Sequence, residues 1–159
     1  MKPLFTESQR FNQWWVWLIV ILSCGVPFII FVQQIVLGKT VGDNPMSDSA
    51  VILSLIIPVI FILLFYMMQL KTVITRETLS FRFVPFVKRT IPWKDMETFK
   101  VINYGFVGGY GIRLTMKYGT VYNIKGNKGL FVKLKNGKTF IVGTQKPEAL
   151  EKTIQQLKS

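Results

Sequence analysis

From Ala50 to Leu70 the chain reads AVILSLIIPVIFILLFYMMQL, twenty-one residues without a charge and with only Ser54 and Gln69 clearly polar. As a helix rising 1.5 Å per residue this stretch is ~31 Å long, close to the ~30 Å hydrocarbon core of a bilayer. A helix on the surface of a soluble domain keeps a polar stripe. This one is apolar on every face, which leaves a buried core helix or a membrane span, and its length favours the span. Pro58 is compatible with that reading, because neighbouring helices and water satisfy the backbone group it frees.

A second candidate precedes it. Residues 1–13 are a short polar lead-in, and Trp14 to Leu37 then gives WWVWLIVILSCGVPFIIFVQQIVL. Trp14, Trp15 and Trp17 crowd its start, where amphipathic rings favour the lipid–water boundary. A cleaved signal peptide would carry an apolar region of only ~7–15 residues before a small-residue site. Here the apolar run continues past Ser23-Cys24-Gly25 without such a site. Between the two runs, GKTVGDNPMSDS at 38–49 has the composition of a turn or short loop. Residues 1–70 are therefore expected to form an anchor, a helical hairpin with spans at 14–37 and 50–70. Lys2 and Arg10 precede the first span and Lys71, Arg76 and Arg82 follow the second, while the loop holds only Lys39. Cytoplasmic flanks concentrate Lys and Arg, so both termini are expected in the cytoplasm.

Beyond Leu70 the chain changes character. Of the 20 Lys and Arg residues, 17 lie at 71–159, against 5 Asp and Glu there, so the net charge of +12 resides in this part. Leu79, Phe81 and Phe83 alternate with Ser80 and Arg82. Ile112, Leu114 and Met116 alternate with Arg113, Thr115 and Lys117, the period of a half-buried strand. Val132 and Leu134 lead to Asn136-Gly137, a strong hairpin signal, with Phe140 and Val142 on the return. Strands are expected near 72–76, 79–84, 87–92, 96–103, 111–117, 120–124, 129–135 and 138–143, a small antiparallel sandwich or partial barrel of seven or eight strands. Thr144 to Glu148 has the capping residue, proline and acid of a helix start. Leu150, Ile154 and Leu157 then form one apolar stripe on a helix over about 145–158, which would close the sheet.

The segment TVITRETLSFRFVPFVKRTIPWKDMETFKV, with Ile91-Pro92-Trp93 followed by Asp95 and Met96, resembles the first half of bacterial pleckstrin-homology-like (PH-like) domains. GGYGIR and VYNIKGNKGLFVKLKNGKTFIVGTQKPEAL resemble the second half, in small two-span bacterial membrane proteins of unknown function. The resemblance covers about 89 residues of the 159, and the hairpin in front fits the same layout. It implies a PH-like fold at the bacterial inner membrane and no established activity. One departure matters: only Arg76 and Arg82 flank the first strand–turn–strand. The basic cradle of phosphoinositide-binding relatives is missing there, and inositol-lipid recognition is not carried over.

Catalysis is hard to assemble from these side chains. There is no histidine, the commonest general base and metal ligand. The single cysteine, Cys24, lies in the first apolar run, so no intramolecular disulfide forms and the thiol is badly placed to ionise. Asp95 and Glu97 could share a strand face, which surface strands commonly show. The glycines at 105–111 do not match a phosphate-binding loop and read as loop freedom between strands. No metal, cofactor, small-molecule substrate or nucleic acid is expected; the dispersed lysines read as solvated strands beside an anionic leaflet. Arg10, Lys71 and Arg76 are the candidate contacts to anionic lipid. The expected function is a non-catalytic, membrane-anchored binding or adaptor module for protein or anionic lipid. The alternative is an assembly subunit acting through its spans on another membrane protein or on itself, with Ser23, Gly25, Gln33, Gln34 and Ser54 at a helix contact.

Overall fold

The computed structural model describes residues 2–158, which divide into two compact units: one takes the chain up to Arg10 and from Met68 onward, the other Phe11–Met67. The second unit holds two helices long and apolar enough to cross a membrane, Trp14–Val36 and Asp48–Met67. The first is α1 (Trp14–Phe31) continued by a π-helical turn at Val32–Val36. The second is broken into α2 (Asp48–Ser54) and α3 (Ile56–Met67). A proline lacks the N–H for the carbonyl four residues back and crowds it, and four residues before Pro58 is Ser54, where α2 stops. Ile19, Leu22, Phe28, Ile57, Ile60 and Leu63 all point outward and are exposed. Ser23 and Ser54 donate to the Val20 and Val51 carbonyls of their own helices, both at 2.7 Å. Each hydroxyl is thus used as a donor within its own helix.

The other unit is mostly β. β1 (Phe5–Arg10), β2 (Gln69–Ile74), β3 (Thr78–Val84) and β4 (Val87–Pro92) form one antiparallel sheet in that order. β5 (Met96–Asn103), β6 (Gly111–Thr115), β7 (Gly119–Asn123), β8 (Lys128–Leu134) and β9 (Thr139–Gly143) form a second, ordered β5-β8-β9-β7-β6. The amphipathic α4 (Pro147–Lys158) lies against β5, β8 and β1 and buries Leu150 and Ile154. Phe81 of the first sheet stacks at 4.9 Å on Tyr122 and at 5.5 Å on Phe140 of the second. Leu70, Leu79, Phe83, Leu130 and Val132 complete the buried set.

Three expectations change. Residues 5–10 are a strand, not part of a lead-in, and Gln69 and Leu70 already belong to β2, so the boundary between anchor and β unit does not fall at residue 70. The second sheet is not wholly antiparallel. β9 turns back at Asn136-Gly137 and slots between β7 and β8, antiparallel to β8 and parallel to β7. Glycines make room for it: a Cβ on Gly119 would stand 2.2 Å from the Thr139 carbonyl oxygen, and one on Gly129 2.6 Å from that of Val142. Finally, β6 does not bury its apolar face. Leu114 and Met116 are almost fully exposed.

β1 is held by more than its ladder. Its inward residues Glu7 and Gln9 are 4% and 2% exposed. Glu7 accepts from the Thr144 hydroxyl at 2.6 Å and from the Gln145 N–H at 2.8 Å. Gln9 donates to the Gly143 carbonyl at 2.8 Å. Arg10 and Gln69 are register partners, so the 58 residues between them leave and rejoin the sheet at one place. Replacing residues 11–68 by Asn-Gly, a two-residue hairpin turn, is expected to give a soluble, cooperatively folding β unit. A chain beginning at Gln69 loses the hydrogen bonds of Glu7 and Gln9 and should be less stable by about 3 kcal/mol or more. Urea midpoints compare the two; equal midpoints would contradict the structural role of β1.

Candidate functional site

Alternation along the first sheet gives it one face toward the second sheet and one toward solvent. The solvent face carries Thr6, Ser8 and Arg10 on β1 and Gln69, Lys71 and Val73 on β2. It continues with Ser80 and Arg82 on β3 and with Lys88 and Thr90 on β4. Register sets Ser8 beside Lys71, Lys71 beside Arg82 and Arg82 beside Lys88, a row crossing all four strands. Arg10 and Gln69 form the next row, and Gln69 donates to the Ser8 hydroxyl between them. The four cations are exposed, and no carboxylate stands on this face among the described strand residues. Lys71, Arg82, Lys88 and Arg89 surround a shallow concavity of about 190 Å³ that Ser80 and Thr90 also line. The Ser80 hydroxyl donates to that of Thr90 at 3.1 Å.

Cationic side chains on neighbouring strands repel one another, and an anion laid across them relieves the repulsion. The face therefore suits phosphate oxygens or another dispersed anionic surface. Of the three residues singled out from the sequence, Arg10 and Lys71 stand together here. Arg76 does not. It sits in the turn between β2 and β3 beside Glu77, five residues along the chain from Lys71. At ~3.3 Å per strand residue that is roughly 16 Å, about two Debye lengths at physiological salt. Arg82 and Lys88 take its place. Counting outward from the turn around Arg76-Glu77 would have set Arg82 opposite Lys71, and from a turn centred on Pro85 Lys88 opposite Arg82.

The other features that invited a chemical reading lie elsewhere in the β unit. Glu97 forms an exposed ion pair with Lys133 at 2.7 Å, and Asp95 lies in the short 3₁₀ turn Trp93–Asp95. Among the described residues no three His, Cys, Asp or Glu side chains gather as metal ligands. The glycine-rich loop between β5 and β6 folds over the outer face of the second sheet, where Val107 packs against Tyr104, Val121 and Ile141. The Tyr104 hydroxyl donates to the Gly126 carbonyl at 3.2 Å and accepts from the Asn123 amide at 3.3 Å. Burial pushes the Tyr104 phenol above its usual pKa against the opposing pull of Asn123, so the group stays a neutral hydrogen-bond donor. The adjoining hollow of about 360 Å³, lined by Phe106, Tyr110, Asn123 and glycines, carries no charge.

Comparison with family models, curated proteins and solved structures finds no match to this chain. The basic face is thus read from its own chemistry. Each cation near an anionic bilayer contributes about 1 kcal/mol. Changing Lys71, Arg82 and Lys88 together to Gln in the turn-closed β unit is expected to weaken binding to anionic vesicles about 100-fold. Arg76→Gln is expected to change it little, and raising the salt should abolish the difference. Sedimentation with vesicles of rising anionic-lipid content measures both; an equal effect of Arg76→Gln would contradict the assignment.

Proposed function

We propose that this chain is a non-catalytic binding module of PH-like fold, anchored in the bacterial inner membrane by a two-span hairpin, with its β unit in the cytoplasm. The observation that carries the reading is the pairing of Arg10 with Gln69. A segment that leaves a folded unit and returns to it at one place crosses a bilayer an even number of times. Two spanning helices in that segment satisfy this, and the Lys and Arg excess on the flanks gives the orientation. The row from Lys71 to Lys88 begins only two residues, about 7 Å of strand, from where the chain rejoins the sheet. That is within the ~8 Å Debye length at physiological salt, so an anionic leaflet would attract this face and orient the unit. The remaining surfaces are then free for a protein ligand. Two sheets closed by a C-terminal helix support the PH-like reading.

One observation favours the assembly-subunit alternative. Within the helical unit Ile21, Cys24, Gly25, Phe28, Leu55, Pro58, Val59 and Ile62 line an apolar hollow of about 460 Å³, a shape that a further helix fills. Topology tests the anchoring itself. In a Cys24→Ser background, Asn44→Cys is expected to react with a membrane-impermeant maleimide on intact cells, and Asn136→Cys only after permeabilisation. The reverse pattern would put the basic unit outside and overturn the proposal.

A further inference from the structure

The two hairpin tips of the first sheet differ in chemistry. The β2–β3 tip, Thr75-Arg76-Glu77, is polar and charged, as a solvated turn ordinarily is. The β3–β4 tip is Val84-Pro85-Phe86-Val87, four residues without a polar side chain. Pro85 and Phe86 are exposed, Phe86 at 56%. A lone exposed apolar residue needs no explanation, but this one stands at a particular end of the sheet. Register sets Val84 opposite Gln69 and Gln69 opposite Arg10, so both connections to the apolar helices leave from beside this tip. Met67, the last residue of α3, precedes Gln69 by two residues, at most ~7 Å of chain. The polar tip lies at the other end of β3, ~23 Å along the strand. Arg82 and Lys88 are register partners and bracket the apolar tip.

We propose that the Pro85-Phe86 tip enters the headgroup–acyl boundary of the leaflet, with the Phe86 ring below the phosphates and Arg82 and Lys88 at their level. A large apolar group flanked by cations is the pattern of an interfacial element. The apolar part buries in the acyl boundary, and the long basic side chains reach back to the anionic headgroups. An apolar pocket in a protein would take the ring alone. The four cations of this face, Arg10, Lys71, Arg82 and Lys88, stand beside the tip with no carboxylate among the described strand residues of the face. They call for anions all round the ring, which a leaflet supplies. The inference rests on the anchoring proposed above, which brings this end of the sheet to the bilayer. It adds to the screened attraction of the basic row a contact that salt does not weaken.

Photolabelling of the full-length chain tests the insertion, in bilayers that hold anionic phospholipid and a phospholipid with a diazirine near the top of its acyl chain. Trypsin cuts after Arg76, Arg82 and Lys88, so the apolar tip is released as residues 83–88 and part of the polar tip as residues 77–82. Lipid is expected on 83–88 and not on 77–82, in low salt and in high salt alike. Phe86→Asp is expected to lower the labelling of 83–88 about tenfold, because one phenyl ring is withdrawn from the acyl boundary. Phe86→Trp should retain it. Slow amide exchange in β3 of the Phe86→Asp chain checks that the sheet persists. Equal labelling of the two peptides in the native chain would overturn the insertion. So would labelling of 83–88 that vanishes in high salt, or that survives Phe86→Asp unchanged. The spans are reported in the same digest by residues 11–39 and 40–71. Lipid on both but not on 83–88 would overturn the insertion and leave the anchoring standing, whereas no lipid on either would overturn both. Lipid on 83–88 together with reversed maleimide labelling at Asn44 would uphold the insertion and place it in the outer leaflet.

Discussion

The pairing of β1 with β2 organises this molecule. It joins residues separated by the whole apolar part of the chain, and it does so with polar side chains turned inward. Glu7 and Gln9 occupy positions where a strand of a sandwich ordinarily presents apolar groups. Buried polar groups are tolerated only when their hydrogen bonds are met. Here the partners come from the far end of the chain, at Gly143, Thr144 and Gln145, directly before α4. The N-terminal strand, the end of β9 and the start of the last helix are thus tied in one knot of hydrogen bonds.

That knot has a functional consequence under the anchoring reading. The helical segment is not an appendage on a flexible leader; it is inserted between two paired strands of the β unit. Under that reading the anchor and the β unit are joined at two points of the chain, on β1 and on β2.

Much of this was legible in the sequence, and the misses have physical reasons. β3 announced itself because Leu79, Phe81 and Phe83 face a core, and the β8–β9 hairpin because Asn136-Gly137 suits the turn. β1 was illegible: in FTESQR only Phe5 is apolar among the inward residues, and Glu7 and Gln9 look solvated until their partners more than 130 residues away are known. The alternation in β6 gave the strand correctly but promised a buried face, because periodicity reports which residues share a face and not whether anything lies over it. For the basic site, proximity along the chain suggested Arg76, whereas register across the strands chose Arg82 and Lys88. The insertion of β9 beside β7 left only the glycines 119 and 129 as traces, indistinguishable in sequence from turn glycines.

Hydrogen exchange on the full-length chain in bilayers tests most directly whether the N-terminal segment is a strand of the β unit. Paired and buried amides exchange only through opening of the cooperative unit that holds them. If β1 is tied as described, peptides covering residues 5–10 should exchange as slowly as those covering β2 and β3, and Glu7→Ala should release all three together. Exchange at residues 5–10 as fast as in the Asp43–Pro45 loop, with β2 and β3 still protected, would contradict the account.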